Sequence, residues 1–249
     1  WTGFDYRGEP TPYQWPCISS HFGIMDVCGF PKNNFFYYQS WWSEKDVLHL
    51  APHWNWKGRE GESINVWCYS NAEQVELVLN GKSLGKKMME RNSHLEWNVP
   101  YAAGVLEARG WKNGKELVTR VETTGNPQTL HLTADRQAIR ADREDVSVIT
   151  VSCTDAQGRA VPDAMNEILF ELSGPGKIIG VGNGDPSSHE PDKYLDGNYR
   201  RRLFNGLCQV IVQSTRQSGP ITLRAVSNGL VEATLTLNAV AVQSRPTLE

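Results

Sequence analysis

A mainly β protein made of two consecutive sandwiches is what this sequence predicts, and three observations carry the prediction. From about residue 46 onward, short runs of alternating apolar and polar residues recur, bounded by Gly, Asn, Asp or Pro. Their spacing of roughly 8–12 residues is that of an all-β sandwich, not of strands alternating with helices. Asn-Gly steps join two pairs of these runs, at Asn80-Gly81 and Asn113-Gly114. A two-residue type I′ turn needs φ > 0 at both central positions, which Asn and Gly tolerate. Finally, all nine Trp lie between Trp1 and Trp111 and the second half has none, which separates the chain into units of different construction.

Size and composition agree with this reading. The chain has 249 residues, 39% hydrophobic and 21% charged, with a formal net charge of -3. That length holds one large domain or two to three small ones. The charge balance gives no reason to expect nucleic acid or an anionic membrane as a partner. No apolar run approaches the ~20 residues that span a bilayer. The five cysteines, Cys17, Cys28, Cys68, Cys153 and Cys208, form no C-x-x-C pair, so a zinc or redox motif is not expected. They read as buried small hydrophobes; a Cys153–Cys208 disulfide is the alternative for that pair.

Residues 1–45 differ from the rest. WTGFDY reads as a short strand, and the prolines of the following RGEPTPYQWP exclude regular helix or central strand. In PKNNFFYYQSWW, Pro31 suits the first turn of a helix, and Phe35, Tyr38, Trp41 and Trp42 predict one buried helical face. The first β domain, residues 46–126, contains the strand runs ESINVWCYS, EQVELVLN, KSLGKK, HLEWNVP, GVLEARGW and KELVTRVET. GNPQ at 125–128 reads as a linker. The second, residues 127–245, contains LHLTAD, AIRAD, VSVITVSCTD, EILFELSG, KIIGVG, LCQVIVQST, ITLRAVS and VEATLTLNAVAV. A strand, a turn and an edge-like Pro in VSVITVSCTDAQGRAVPDA follow the pattern of an immunoglobulin-like sandwich.

WTGFDYRGEPTPY, FGIMDVCGFPK and YYQSWW resemble the end of the (β/α)8 barrel in family 2 glycoside hydrolases, especially its β-galactosidase-like members. LAPHWNWKG and SNAEQVELVLNGKSLGKK resemble the sandwich that follows that barrel. ADRQAIRADREDVSVITVSCTDAQGRAVPDA, GPGKIIGVGNGDPSSHEP and FNGLCQVIVQST resemble its terminal immunoglobulin-like domain. The resemblance implies two immunoglobulin-like β-sandwich domains preceded by the terminal strand and helix of a (β/α)8 barrel, and hence a chain that begins inside a longer polypeptide. It implies the C-terminal part of a retaining β-glycosidase, with a carbohydrate substrate and an upstream catalytic barrel as partners, no cofactor, and a periplasmic or extracellular compartment. Homo-oligomerisation stays open, as do glucuronide and mannoside specificities. The contrasting class is a non-catalytic carbohydrate-binding or adhesion module of tandem immunoglobulin-like domains, since fold does not fix function.

A retaining glycosidase needs two carboxyl groups about 5–5.5 Å apart. The resemblance places both on earlier barrel strands, so no catalytic residue and no metal ligand is expected in this chain. It does imply that Trp1 is an aromatic platform for a sugar ring, the alternative being barrel packing. Strand alternation puts Trp1, Gly3 and Asp5 on one side. Asp5 is therefore either a ligand of sugar hydroxyls or a hydrogen-bonded structural carboxylate. Glu9 reads as a solvated charge, and His21 and Asp26 as structural. His53-Trp54-Asn55-Trp56 reads as a strand whose two Trp share a face at a domain interface. The loop GVGNGDPSSHEPD offers Asn183, Asp185, His189 and Glu190, too few carboxylates at regular spacing for a calcium site. Arg200, Arg201 and Arg202 read as solvated or interface charges.

Overall fold

The computed structural model describes residues 2–243; Trp1 lies outside the described residues. The chain forms two compact units: residues 1–5 with 22–124, and residues 6–21 with 125–249.

The first unit packs a three-stranded sheet on a four-stranded one. The strands are β1 (Leu48–Ala51), β2 (Ser63–Ser70), β3 (Gln74–Leu79), β4 (Lys82–Met88), β5 (Leu95–Pro100), β6 (Val105–Lys112) and β7 (Lys115–Glu122). Their orders are β1-β2-β5 and β4-β3-β6-β7. The core takes alternate residues of both sheets, among them Ile64, Val66 and Cys68 of β2 and Val75 and Leu77 of β3. Both Asn-Gly hairpins form as expected. Asn80 has φ 50° with Gly81 at 80°, and Asn113 has φ 51° with Gly114 at 78°. The register is correspondingly tight, Leu79 facing Lys82 and Lys112 facing Lys115.

His53–Trp56 is a loop, not a strand. Trp54 has no exposed surface and fills the core of its own unit. Its indole N–H donates to Ala102 O at 3.0 Å, which satisfies the one polar group that burial would otherwise strand. Trp56 lies partly buried against the same core.

One helix, α1 (Asn33–Trp42), precedes β1. Pro31 sits before it, bridged to Met25. The face that packs overlaps the predicted one only in part: Trp41 lies on it, Phe36, Tyr37 and Ser40 join it, and Trp42 leaves it. Phe36 stacks on His49 of β1 with ring centroids 3.7 Å apart. Tyr37 Oη donates to Asn92 O at 2.8 Å, Trp41 Nε1 donates to Ser93 O at 3.2 Å, and Ser40 is buried. Trp42, assigned to the interior from its spacing, is 72% exposed. An aromatic on nearly every turn position makes helical periodicity uninformative; the sheet decides which stripe is covered.

The second unit packs two sheets around one core. Its strands are β8 (Thr129–Ala134), β9 (Ala138–Arg140), β10 (Val146–Thr154), β11 (Glu167–Ser173), β12 (Gly176–Gly182), β13 (Arg200–Arg202), β14 (Leu207–Ser214), β15 (Gly219–Val226) and β16 (Ala233–Val240). The orders are β12-β14-β10-β8 and β13-β11-β15-β16-β9. All pairs are antiparallel except β16 with β9. Ile149, Val151, Val210 and Val212 from one sheet meet Ile168, Ile221, Leu223 and Leu237 from the other. Cys153 and Cys208 are buried in this core and form no disulfide; Cys208 lies opposite Val151, not Cys153.

Candidate functional site

Two groups of polar side chains are held in place by local structure, one in each unit. In the first unit, residues 3–5 run beside residues 23–25. Met25 N donates to Gly3 O and Asp5 N donates to Met25 O, both at 2.9 Å, and Phe4 bridges Met25 in parallel. Gly23 permits this closeness: a Cβ there would stand 2.3 Å from Asp5 N. Asp5 is 8% exposed. Its Oδ1 accepts the Gly23 N–H at 2.8 Å and its Oδ2 accepts Lys32 Nζ at 2.8 Å. A buried carboxylate is tolerated only with such partners. Asp26 accepts the Cys28 and Phe30 N–H groups at 2.8 and 3.0 Å. Burial still raises its pKa, against those two hydrogen bonds.

The second group is built around the loop after β12. Segment 6–21 belongs to this unit. Ile18 N donates to Pro186 O at 2.9 Å, His189 Nε2 meets Pro16 O at 2.9 Å, and Arg7 pairs with Asp192 at 2.9 Å. The rings of Trp15 and His189 lie 4.3 Å apart, tilted by 45°. His21 contacts the Tyr13 ring at 3.9 Å and Cys17 Sγ at 3.0 Å. Glu9 accepts the Tyr6 hydroxyl.

Arg201 anchors this loop from below. It has no exposed surface. It donates to Ser188 Oγ at 3.1 Å, Glu190 O at 3.2 Å and Val181 O at 3.0 Å, and to the Asp192 carboxylate. The expectation of solvated or interface charges is therefore corrected for Arg201, which is buried within its own unit. β13 pairs with β11 in the register Ile168↔Arg201, and strand alternation turns Arg201 inward while Arg202 faces out. A signal for this was in the sequence. Asn205-Gly206 is a third Asn-Gly turn, with φ 50° and 75°, and it implies a strand just before it. A Cβ on Gly206 would meet Val161 O at 2.3 Å, so only Gly fits.

Above Arg201 opens a cavity of about 400 Å³, lined by the loop and by residues around β13. Asp185, His189, Glu190 and Arg202 supply its polar wall, Met165 and Phe204 an apolar one. Among the described residues, no group of three or more His, Cys, Asp or Glu is placed to hold a metal ion, and no helix is long and apolar enough to cross a membrane.

Comparison with known proteins adds two matched domains. Residues 130–236 match the family described as glycoside hydrolase family 2 C-terminal domain 5. Residues 61–118 match a domain of unknown function, DUF4982. The β-galactosidase BoGH2A of Bacteroides ovatus is 44% identical over 242 residues, 96% of this chain and 28% of that protein. A putative β-glucuronidase of Formosa agariphila is 35% identical over 82% of this chain and 20% of its own length. A β-glycosidase from Bacteroides vulgatus superposes with a TM-score of 0.88 at 37% identity, over 96% of this chain and 30% of its own. The chain thus spans less than a third of each of these relatives.

Proposed function

From a chain that belongs to glycoside hydrolase family 2, as the C-terminal portion of its architecture, we propose that the whole enzyme is a retaining β-glycosidase acting on terminal β-galactosides. In that chemistry one carboxylic acid protonates the leaving oxygen while a carboxylate about 5–5.5 Å away attacks the anomeric carbon. Water then hydrolyses the glycosyl-enzyme, and the acid acts as base. Both groups are assigned to the barrel upstream. The two sandwiches are scaffold, and the opening segment is part of the active-site rim.

The observation that carries the galactoside reading is the 44% identity to a β-galactosidase across both sandwiches and the opening segment. The match to a putative β-glucuronidase is lower, at 35%. Within the proposal, Trp1 is the sugar platform. Asp5, with its oxygens held by Gly23 and Lys32, fixes the segment that carries it.

The test is turnover of chromogenic β-galactoside and β-glucuronide by this 249-residue chain, beside a protein in which a complete family barrel precedes it. The expected result is no turnover by the chain alone and galactoside cleavage by the longer protein. Turnover by the chain alone, surviving repurification, refutes the scaffold assignment; preferential glucuronide cleavage refutes the specificity.

A further inference from the structure

We propose that the cavity above Arg201 is a carbohydrate-binding site in its own right, which takes a neutral hexose ring of a glycan. The choice of a carbohydrate among polyhydroxylated ligands rests on the glycosidase reading. Everything else rests on the cavity.

Its volume of about 400 Å³ lies within the range of small-ligand sites. The polar groups that face it are incompletely used. Asp185 spends Oδ1 on the Ser187 N–H at 2.8 Å. Among the described residues its Oδ2 has no hydrogen-bond partner, so it remains an acceptor for a sugar hydroxyl. His189 uses Nε2 on Pro16 O, which leaves Nδ1. The Arg202 backbone N–H donates to Glu190 Oε2 at 3.2 Å, its side chain approaches Glu190 through Nε at 3.7 Å, and its terminal guanidinium N–H groups are donors. Acceptors and donors together in one lining match the hydroxyls of a pyranose.

The opposite requirement, an aromatic surface for the C–H face of the ring, is supplied by Trp15, which packs on the lining residue His189. Trp15 is 77% exposed and rests against His189. An indole so placed costs apolar exposure without contributing to the core, and its position is fixed by three neighbouring ties of segment 6–21 to the loop. Phe204 and the exposed Met165 continue the apolar wall. Arg201 holds the loop backbone from beneath, so the site is preorganised and its ligand does not have to order it. Of the two carboxylates in the lining, Glu190 lies 3.6 Å from the buried Arg201 and 3.7 Å from Arg202, while Asp185 makes no ion pair among the described residues. That uncompensated carboxylate favours a neutral sugar over a uronate.

Calorimetric titration of the 249-residue chain with β-1,4-galactotetraose, cellotetraose and tetragalacturonate tests the assignment. At least one neutral tetraose is expected to bind in the millimolar range or tighter, and tetragalacturonate more weakly. Trp15→Ala and Asp185→Asn are each expected to weaken binding about ten-fold with thermal melting unchanged. Should Trp15→Ala lower the melting temperature, Asp185→Asn and Arg202→Gln decide. Absence of binding by both neutral sugars, binding indifferent to the substitutions, or tighter binding of tetragalacturonate overturns the proposal. The readout requires no turnover. A chain that binds sugar while the longer protein shows no glycosidase activity removes the function reading and keeps this one; the reverse pattern removes this one alone.

Discussion

Arg201, with no exposed surface, donates to the carboxylate of Asp192, and Asp192 in turn receives Arg7 from the opening segment. One buried guanidinium therefore secures the loop after β12, and the loop holds segment 6–21. Arg201→Met is expected to destabilise the second unit by on the order of 2 kcal/mol. Removing one partner of a buried pair costs about 3–5 kcal/mol, and Asp192 is half exposed, which reduces that figure. Arg202→Met, on the outward side of the same strand, is expected to change stability by about 0.5 kcal/mol or less. Calorimetric unfolding of both variants checks the contrast, and equal effects would contradict it.

His49 gives the first unit a pH dependence. Burial between the α1 aromatics and β2 lowers its pKa from 6.5 to about 4. The unfolded chain then binds a proton that the folded one refuses. Stability is complete above pH 6.5 and declines as pH falls toward 4, by on the order of 2 kcal/mol. Urea unfolding followed by Trp fluorescence reads mainly this unit, because residues 125–249 contain no Trp. His49→Phe should flatten the profile between those pH values.

Asp155 acts on the second unit in a lower window. Its carboxylate accepts two hydrogen bonds from the Arg159 guanidinium and the N–H groups of Gly125, Gln157 and Arg159. Arg159 first, then these amides, hold its pKa well below the carboxylate range. Stability from this group is present above its unfolded pKa of about 3.9 and lost as pH falls below it. Asp155→Asn should remove that acid-side loss and lower stability at neutral pH. Amide exchange of β10 as a function of pH measures both.

The hairpin at Asn80-Gly81 carries a further expectation. Asn80 Nδ2 donates to Ala103 O at 3.0 Å, and its Oδ1 accepts Val105 N–H at 2.8 Å. Asn80→Ala removes both exposed hydrogen bonds and places Ala at φ 50°. It should cost about 1–2 kcal/mol, more than Gly81→Ala, which meets nothing within 4 Å and costs only the φ strain. Chemical denaturation ranks the two, and the reverse order would contradict the account.

Gly23 tests the opening segment. Gly23→Ala places a methyl 2.3 Å from Asp5 N, so residues 3–5 and 23–25 must part. Loss of protection at the Asp5 and Met25 amides in hydrogen exchange is expected, with β2 and β5 unaffected. Retained protection would show that the segments have room to spare.

Alternation and turn chemistry made the sandwiches legible. Apart from His53–Trp56, which is a loop, every strand run named in residues 46–245 of the two sandwiches is a strand, because a sheet with one buried face imposes a period of two on its residues. Among its described residues, WTGFDY makes only an isolated bridge. The two strands missed, β1 and β13, are among the shortest and carry no clean alternation: LHLA and RRR. Helix α1 was visible in existence but not in orientation, since Phe35 through Tyr38 offers an aromatic to every side.

The sequence by itself therefore determined the local periods, the Asn-Gly turns and the family resemblance, all properties of neighbouring residues. Tertiary structure decided what depends on distant partners. Arg201 became the buried anchor rather than a surface charge, because β11 lies beside β13. Trp54 entered a core because Ala102 O could receive its N–H. Trp15 came to rest on His189 because His189 and Pro16, 173 positions apart, are held together by a hydrogen bond. No local pattern encodes such meetings, whose free energy is realised only when the whole unit has closed.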